Sequence, residues 1–281
     1  MESDAGTAST APAGRDIRLV AVDLDGTLLD PQKRVDDETA AAIRQLAEGG
    51  FPVVIASARP PRSVRPTYQQ LGLRTLQINY NGALIWDESR RAAVLHRPMK
   101  AELVRRIVAA CRDLFEEVQV SCEILDRWYT DRYDPAHTTE TGRMFQPDVI
   151  SPLERFAHLD VTKLMLLGEP WMMLRLENLI AAAFEDEVTV VRTDDDLLQV
   201  MDKRVSKARA VQQVARHYGV EMSQVLAIGD APNDYGMVAT AGVGVAMGNA
   251  HALVKEVADF IAPPNDRQGV LVALRHFGLV R

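Results

Sequence analysis

Short, continuously apolar runs rich in β-branched residues recur along this chain, and segments with helical periodicity separate them. Ile17-Arg18-Leu19-Val20-Ala21-Val22 lacks the polar alternation of a half-exposed strand and reads as one buried on both faces. Asp36 and Asp37 then offer N-cap oxygens, Ile43 and Leu46 share one side of a helix, and Gly49-Gly50 stop it. A second buried strand lies in Pro52–Ser57, a helix runs from about Pro61 to Gly72, and Thr75–Asn79 forms a third strand. Strand, helix, strand, helix, strand is the order of a parallel sheet with helical crossovers.

The middle of the chain breaks this rhythm. Leu84–His96 reads as two short strands around a charged turn, and a helix follows from about Ala101 to Phe115. Val118–Ile124 and Arg127–Asp131 pair as a hairpin, and Val161–Gly168 is a strand. A helix through Leu176–Phe184 leads to the strands Val188–Arg192 and Leu197–Met201, joined by Thr193–Asp196. Hairpins mixed with helices predict a separate α+β unit. After Asp202 the first rhythm returns: helix 205–219, strand 225–230, short helix 233–241, strand 242–248, helix 249–259 and the closing run 269–278. The fold class is therefore α/β, a Rossmann-like parallel-sheet core carrying an inserted α+β domain. Residues 15–82 and 201–281 form the discontinuous core, 83–200 the insertion and 1–14 a small, polar, floppy tail.

Composition agrees with an ordinary globular protein. The 281 residues, 47% hydrophobic and 25% charged, suffice for two domains and a sizeable core, against a disordered scaffold or a disulfide miniprotein. A net charge of −7 argues against general binding to nucleic acid or anionic membranes, while leaving room for a local basic pocket around a phosphorylated ligand. Nothing approaches the run of about 18 apolar residues that a spanning helix needs. The two cysteines, Cys111 and Cys122, form no paired motif and read as reduced thiols of a cytoplasmic protein.

The chemistry concentrates at strand ends, where open parallel sheets bind ligands. Asp23-Leu24-Asp25-Gly26-Thr27 places two carboxylates two residues apart beyond the first strand, with a glycine for the turn. Such a pair suits metal-assisted work in which one carboxylate binds a cation and attacks while the other moves protons. Two solvated acids at a strand exit, or the metal site of a nucleotide-sugar transferase, would present the same pair. Gly229-Asp230 ends a later strand, and Asn233 and Asp234 open the next helix. Acids from both clusters can converge on Mg2+, a hard cation that takes carboxylate oxygens. Lys207, following Ser206 at a helix start, and the strand-end Ser57 are candidates to hold phosphoryl oxygens. No GxSxG elbow, Walker loop or HExxH helix is present.

These residues together resemble the haloacid dehalogenase superfamily, in its Cof-type branch with a large α+β (type IIB) cap. The resemblance covers nearly all the chain after the tail. It is carried by Asp23–Leu29 (DLDGTLL), Ser57-Ala58-Arg59, Asn81-Gly82-Ala83, Ser206-Lys207, the run GDAPNDYGM from Gly229 and the run AGVGVAMGNA from Ala241. It implies a Mg2+-dependent phosphatase of a small phosphorylated metabolite such as a sugar phosphate, nucleotide or cofactor precursor. Asp23 would attack phosphorus and become an aspartyl phosphate. Asp25 would protonate the leaving oxygen and then activate water. Ser57, Lys207 and Asn233 would hold the phosphoryl group, with Ala58, Arg59 and Asn81 at the substrate. Mg2+ would be held by Asp23, the Asp25 carbonyl and Asp230, with Asp234 as ligand or support. The branch usually reads Thr-Gly-Arg where this chain has Ser57-Ala58-Arg59, and glycine is common where Ala208 stands; neither change removes a catalytic group. Arg62 and Arg65 read as a solvated helix start, and the segments 126–133 and 193–196 as candidates for substrate selection. A sugar phosphomutase and a non-catalytic phospho-acceptor module are the competing readings, separable by product analysis and by the lifetime of the aspartyl phosphate.

Overall fold

The computed structural model describes residues 15–134 and 140–281, so the expected tail at 1–14 lies outside the described residues. In chain order the elements begin with β1 (Leu19–Val22), α1 (Asp37–Glu48), β2 (Val53–Ile55), α2 (Pro61–Gln70) and β3 (Gln77–Asn79). Next come β4 (Leu84–Asp87), β5 (Ala92–His96), α3 (Ala101–Leu114), β6 (Gln119–Ile124), β7 (Arg127–Thr130), α4 (Glu140–Met144) and β8 (Val149–Ile150). β9 (Lys163–Leu167), α5 (Pro170–Ala183), β10 (Val188–Asp194) and β11 (Leu197–Asp202) follow. The chain closes with α6 (Lys207–His217), β12 (Val225–Gly229), α7 (Tyr235–Thr240), β13 (Val243–Ala246), α8 (Ala252–Glu256), β14 (Phe260–Ile261) and α9 (Gly269–His276). The residues gather into two compact units. Of the described residues, one takes those up to Val53, Leu71–Leu73 and Ala215–Arg281, the other Val54–Gln70 and those between Arg74 and Val214.

The first unit is built on a parallel sheet in which β14, β13, β12 and β1 are neighbours in that order. β1 pairs with β12 from Leu19↔Val225 to Val22↔Ile228, and β12 with β13 from Leu226↔Val243 to Gly229↔Ala246. All residues of β1, β12 and β13 are buried, as continuous apolar runs require. Asp36 caps α1, its Oδ1 accepting from the backbone N–H of Glu38 (3.1 Å) and Thr39 (3.0 Å). It also accepts from the Gln268 amide at 3.2 Å, which ties the cap to the start of α9. Asp36→Ala is therefore expected to cost about 1–2 kcal/mol in a urea melt, the upper range for a lost N-cap. Two elements differ from the sequence reading. β14 is not anticipated, being only two residues long, and α8 starts at Ala252 because the His251 ring accepts from Leu253 N–H and caps it there.

The second unit holds two sheets. The larger has the order β10-β11-β9-β6-β7-β8, antiparallel except for β7 with β8. Along β9, Leu164 and Leu166 join the buried side chains of α3 and α5, among them Ile107, Val108, Leu176 and Ile180. Met165 and Leu167, at the alternate positions, pack with Trp128 and Leu197 instead. The smaller sheet corrects an expectation. β3 does not extend the parallel sheet but pairs antiparallel with β4, which pairs with β5. A single parallel bridge, Ala56↔Ile78, is what remains of the predicted pairing. The chain turns away immediately afterwards, since Tyr80 (φ 49°) and Asn81 (φ 56°) are left-handed and fold β3 back on β4. α5 begins at Pro170, earlier than the apolar periodicity suggests, with proline in its favoured first-turn place. The short α4 and β8 carry no periodic signal. No described helix is long and apolar enough to cross a membrane. Cys111 and Cys122 are free and buried, and burial pushes the Cys111 thiol up to about 12.

Candidate active site

Three carboxylates meet at the carboxyl edge of the parallel sheet. Asp23 follows β1, its N–H donating to the Ile228 carbonyl of β12 at 2.9 Å. Asp230 follows β12, and Asp234 ends the short turn before α7. Oxygens of Asp23, Asp230 and Asp234 all lie within 4.8 Å of one another. Asp23 and Asp234 are buried and Asp230 is partly so.

Each acid is held from several sides. Asp234 accepts from the N–H groups of Asp230 and Ala231, both at 3.0 Å. Thr27 donates its hydroxyl to Asp230 Oδ1 at 2.8 Å. Gly26 sits at φ 78°, and a Cβ there would overlap the Asp230 carboxylate, coming within 2.8 Å of its Cγ. The Asn249 amide donates to the Gly26 carbonyl at 2.8 Å, and His251 N–H to the Asp230 carbonyl at 2.8 Å. Loops after three neighbouring strands are thus tied into one edge.

Asp25 is placed differently. Its side chain is not among the three converging carboxylates, and its Oδ1 accepts from Lys33 at 2.7 Å. Lys33 is itself left-handed (φ 61°) in the turn after the DLDGTLL run. Asn233 is exposed in the turn Pro232–Asp234. Sequence reasoning passes over Thr27, Lys33 and Asn249. Thr27 and Asn249 lie inside the motif runs, but only the fold aims them at Asp230 and Gly26.

The second unit assembles the other named residues. Ser57 is buried at the exit of β2; its Oγ accepts from Arg59 N–H at 3.1 Å and its carbonyl from Asn81 N–H at 3.0 Å. Ala58 and Arg59 are half-buried, and the Arg59 carbonyl accepts from Tyr80 N–H at 3.3 Å. Gly82 (φ 99°) lies so near the start of α6 that a Cβ would come 2.6 Å from the Ser206 carbonyl oxygen. Ser206 Oγ accepts from Arg209 N–H at 3.2 Å and so caps α6, whose first residue is Lys207. The Lys207 side chain is only 1% exposed. The backbone that carries Ser57 is therefore joined to Asn81, and the neighbouring Gly82 packs against the residue before Lys207. Arg62 and Arg65 contradict the solvated helix start expected of them: Arg62 is buried against Glu123, and Arg65 pairs with Glu88 and Asp126.

Chemically, three carboxylates this close repel one another, and a cation or hydrogen-bond donors offset that repulsion. The oxygen-only donor set fits a hard divalent ion such as Mg2+, which takes carboxylates and keeps some of its water. Lys207 offers a point charge of the kind that binds phosphoryl oxygens.

Comparison with known proteins places this architecture among characterised relatives. Residues 20–274 match the family model for haloacid dehalogenase-like hydrolases. The 5-amino-6-(5-phospho-D-ribitylamino)uracil phosphatase YcsE of Bacillus subtilis is 30% identical over 266 residues, covering 94% of this chain and 97% of that protein. The HMP-PP phosphatase of Serratia proteamaculans is 29% identical over 85% of this chain and 87% of its own length. A crystal structure from Thermotoga maritima superposes with a TM-score of 0.83 at 27% identity, covering 92% of this chain and 97% of that one.

Proposed function

This chain belongs to the haloacid dehalogenase-like hydrolase family and is a phosphatase of that type, and from that premise we propose that it hydrolyses a small phosphorylated metabolite through an aspartyl phosphate, with Mg2+ as cofactor. The convergence of Asp23, Asp230 and Asp234 at one sheet edge carries the reading. On this reading residues 15–82 and 201–281 are the catalytic core and 83–200 the cap.

Asp23 attacks phosphorus as its O–P bond forms and the ester P–O bond breaks. Asp25 gives the leaving oxygen a proton, then takes one from the water that cleaves the acyl phosphate and restores Asp23. Ser57 and Lys207 hold the phosphoryl oxygens, with Ala58, Arg59, Asn81 and Asn233 at the substrate. Asp23, Asp230, Asp234 and the Asp25 carbonyl would hold the ion, which would supply charge neutralisation between anionic nucleophile and anionic phosphate. Acidic net charge, buried free thiols and the relatives' small substrates support a cytoplasmic enzyme without nucleic-acid or membrane partners.

Phosphate release from a metabolite panel should require added Mg2+ and stop in excess EDTA, a loss of about 100-fold or more if the ion neutralises several kcal/mol of transition-state charge. Undiminished release in EDTA would remove the ion from the reading.

A further inference from the structure

The face of the six-stranded sheet opposite α3 and α5 carries an ionic group that is incompletely paired. Glu123 of β6 and Lys163 of β9 stand opposite one another in register and are 2% and 6% exposed. Arg62, in the first turn of α2, is 8% exposed, and its Nη2 donates to both Glu123 oxygens at 2.6 and 2.8 Å. The Tyr80 hydroxyl donates to the Leu125 carbonyl at 2.7 Å and lies 3.2 Å from Glu123 Oε2. Both Glu123 oxygens therefore accept from Arg62.

What is left over consists of cationic donors. Arg62 Nε and Nη1 are buried without a hydrogen-bond partner, and Asp126 Oδ1, 3.8 Å from Nη1, is too distant to serve. The Lys163 ammonium faces the Tyr80 ring, 5.3 Å from its centroid, and makes no hydrogen bond or ion pair among the described residues. Burial lowers its pKa to about 8, so it remains mostly charged at neutral pH. Burying cations without acceptors is expensive, and such groups concentrate where a ligand completes them.

The position adjoins the phosphoryl-holding turn. Tyr80 precedes Asn81, and Arg62 lies three residues beyond Arg59, whose carbonyl accepts from Tyr80 N–H. We propose that Arg62 and Lys163 form a subsite for a second anionic group, a carboxylate or further phosphoryl, on the leaving portion of the substrate. This rests on the phosphatase reading above. A neutral polyol fits less well, because it carries no negative charge to offset the two cations. The rings of Tyr80 and of Phe145, 5.9 Å from the Arg62 guanidinium carbon, give apolar walls that strengthen a charged contact.

Calorimetric titration of the full chain in EDTA, with 6-phosphogluconate and with glucose 6-phosphate, compares a carboxylate-bearing ligand with its neutral counterpart. The first should bind about tenfold tighter or better, as a charge-assisted contact implies. Lys163→Met and Lys163→Gln should bring the ratio near one, each variant being shown folded by a thermal melt. A wild-type ratio near one, or a ratio that survives in either folded variant, overturns the subsite. Hydrolysis of 4-nitrophenyl phosphate by the wild type with Mg2+ tests the phosphatase reading separately. Turnover without the binding ratio sinks only the subsite, and the ratio without turnover sinks only that reading.

Discussion

Replacing Asp23 with asparagine should abolish turnover while leaving the fold intact, a loss of at least about 1000-fold in kcat, or roughly 4 kcal/mol of barrier. The amide keeps the shape of a residue that is almost fully buried, but it has no anionic oxygen with which to attack phosphorus. Stability should hold or rise slightly, because the variant removes one of three carboxylates crowded within 4.8 Å. Phosphate release and a thermal melt on the same preparation check both halves. Turnover at the wild-type rate would show that Asp23 is not the nucleophile.

Gly26→Ala should damage stability and activity together. The position is held at φ 78°, where an L side chain is strained, and the added methyl overlaps the Asp230 carboxylate that Thr27 fixes. Strain and overpacking together predict a cost of about 2–4 kcal/mol in a urea melt. Displacing Asp230 by about 1 Å should also cost about 100-fold in kcat/KM, even at temperatures where the variant is folded. An alanine variant as stable and active as wild type would mean that Gly26 and Asp230 do not approach as described.

The two substitutions probe different kinds of information. Asp23 is legible in the amino-acid pattern, because a carboxylate pair directly after a buried apolar run falls at a strand exit. The same pattern marks Gly26 merely as a turn residue; its role as the surface against which Asp230 packs emerges only from the tertiary structure. The same division runs through the fold. β1, β12 and β13 announce themselves because burial on both faces demands unbroken apolar residues. β3 departs from expectation because a local pattern specifies a strand and not its neighbour, and the left-handed pair Tyr80-Asn81 diverts it into a hairpin.

Local patterning determined the parallel-sheet core, the α+β insertion and the chemical identity of the acids, serine and lysine. Those properties depend on spacing and residue type over a few positions. The tertiary structure alone decided that Asp25 pairs with Lys33 instead of joining the three carboxylates, and that Arg62 is buried against Glu123 instead of solvated. Partner choice of that kind is settled by which distant side chains share a low-dielectric neighbourhood, and no local periodicity encodes it.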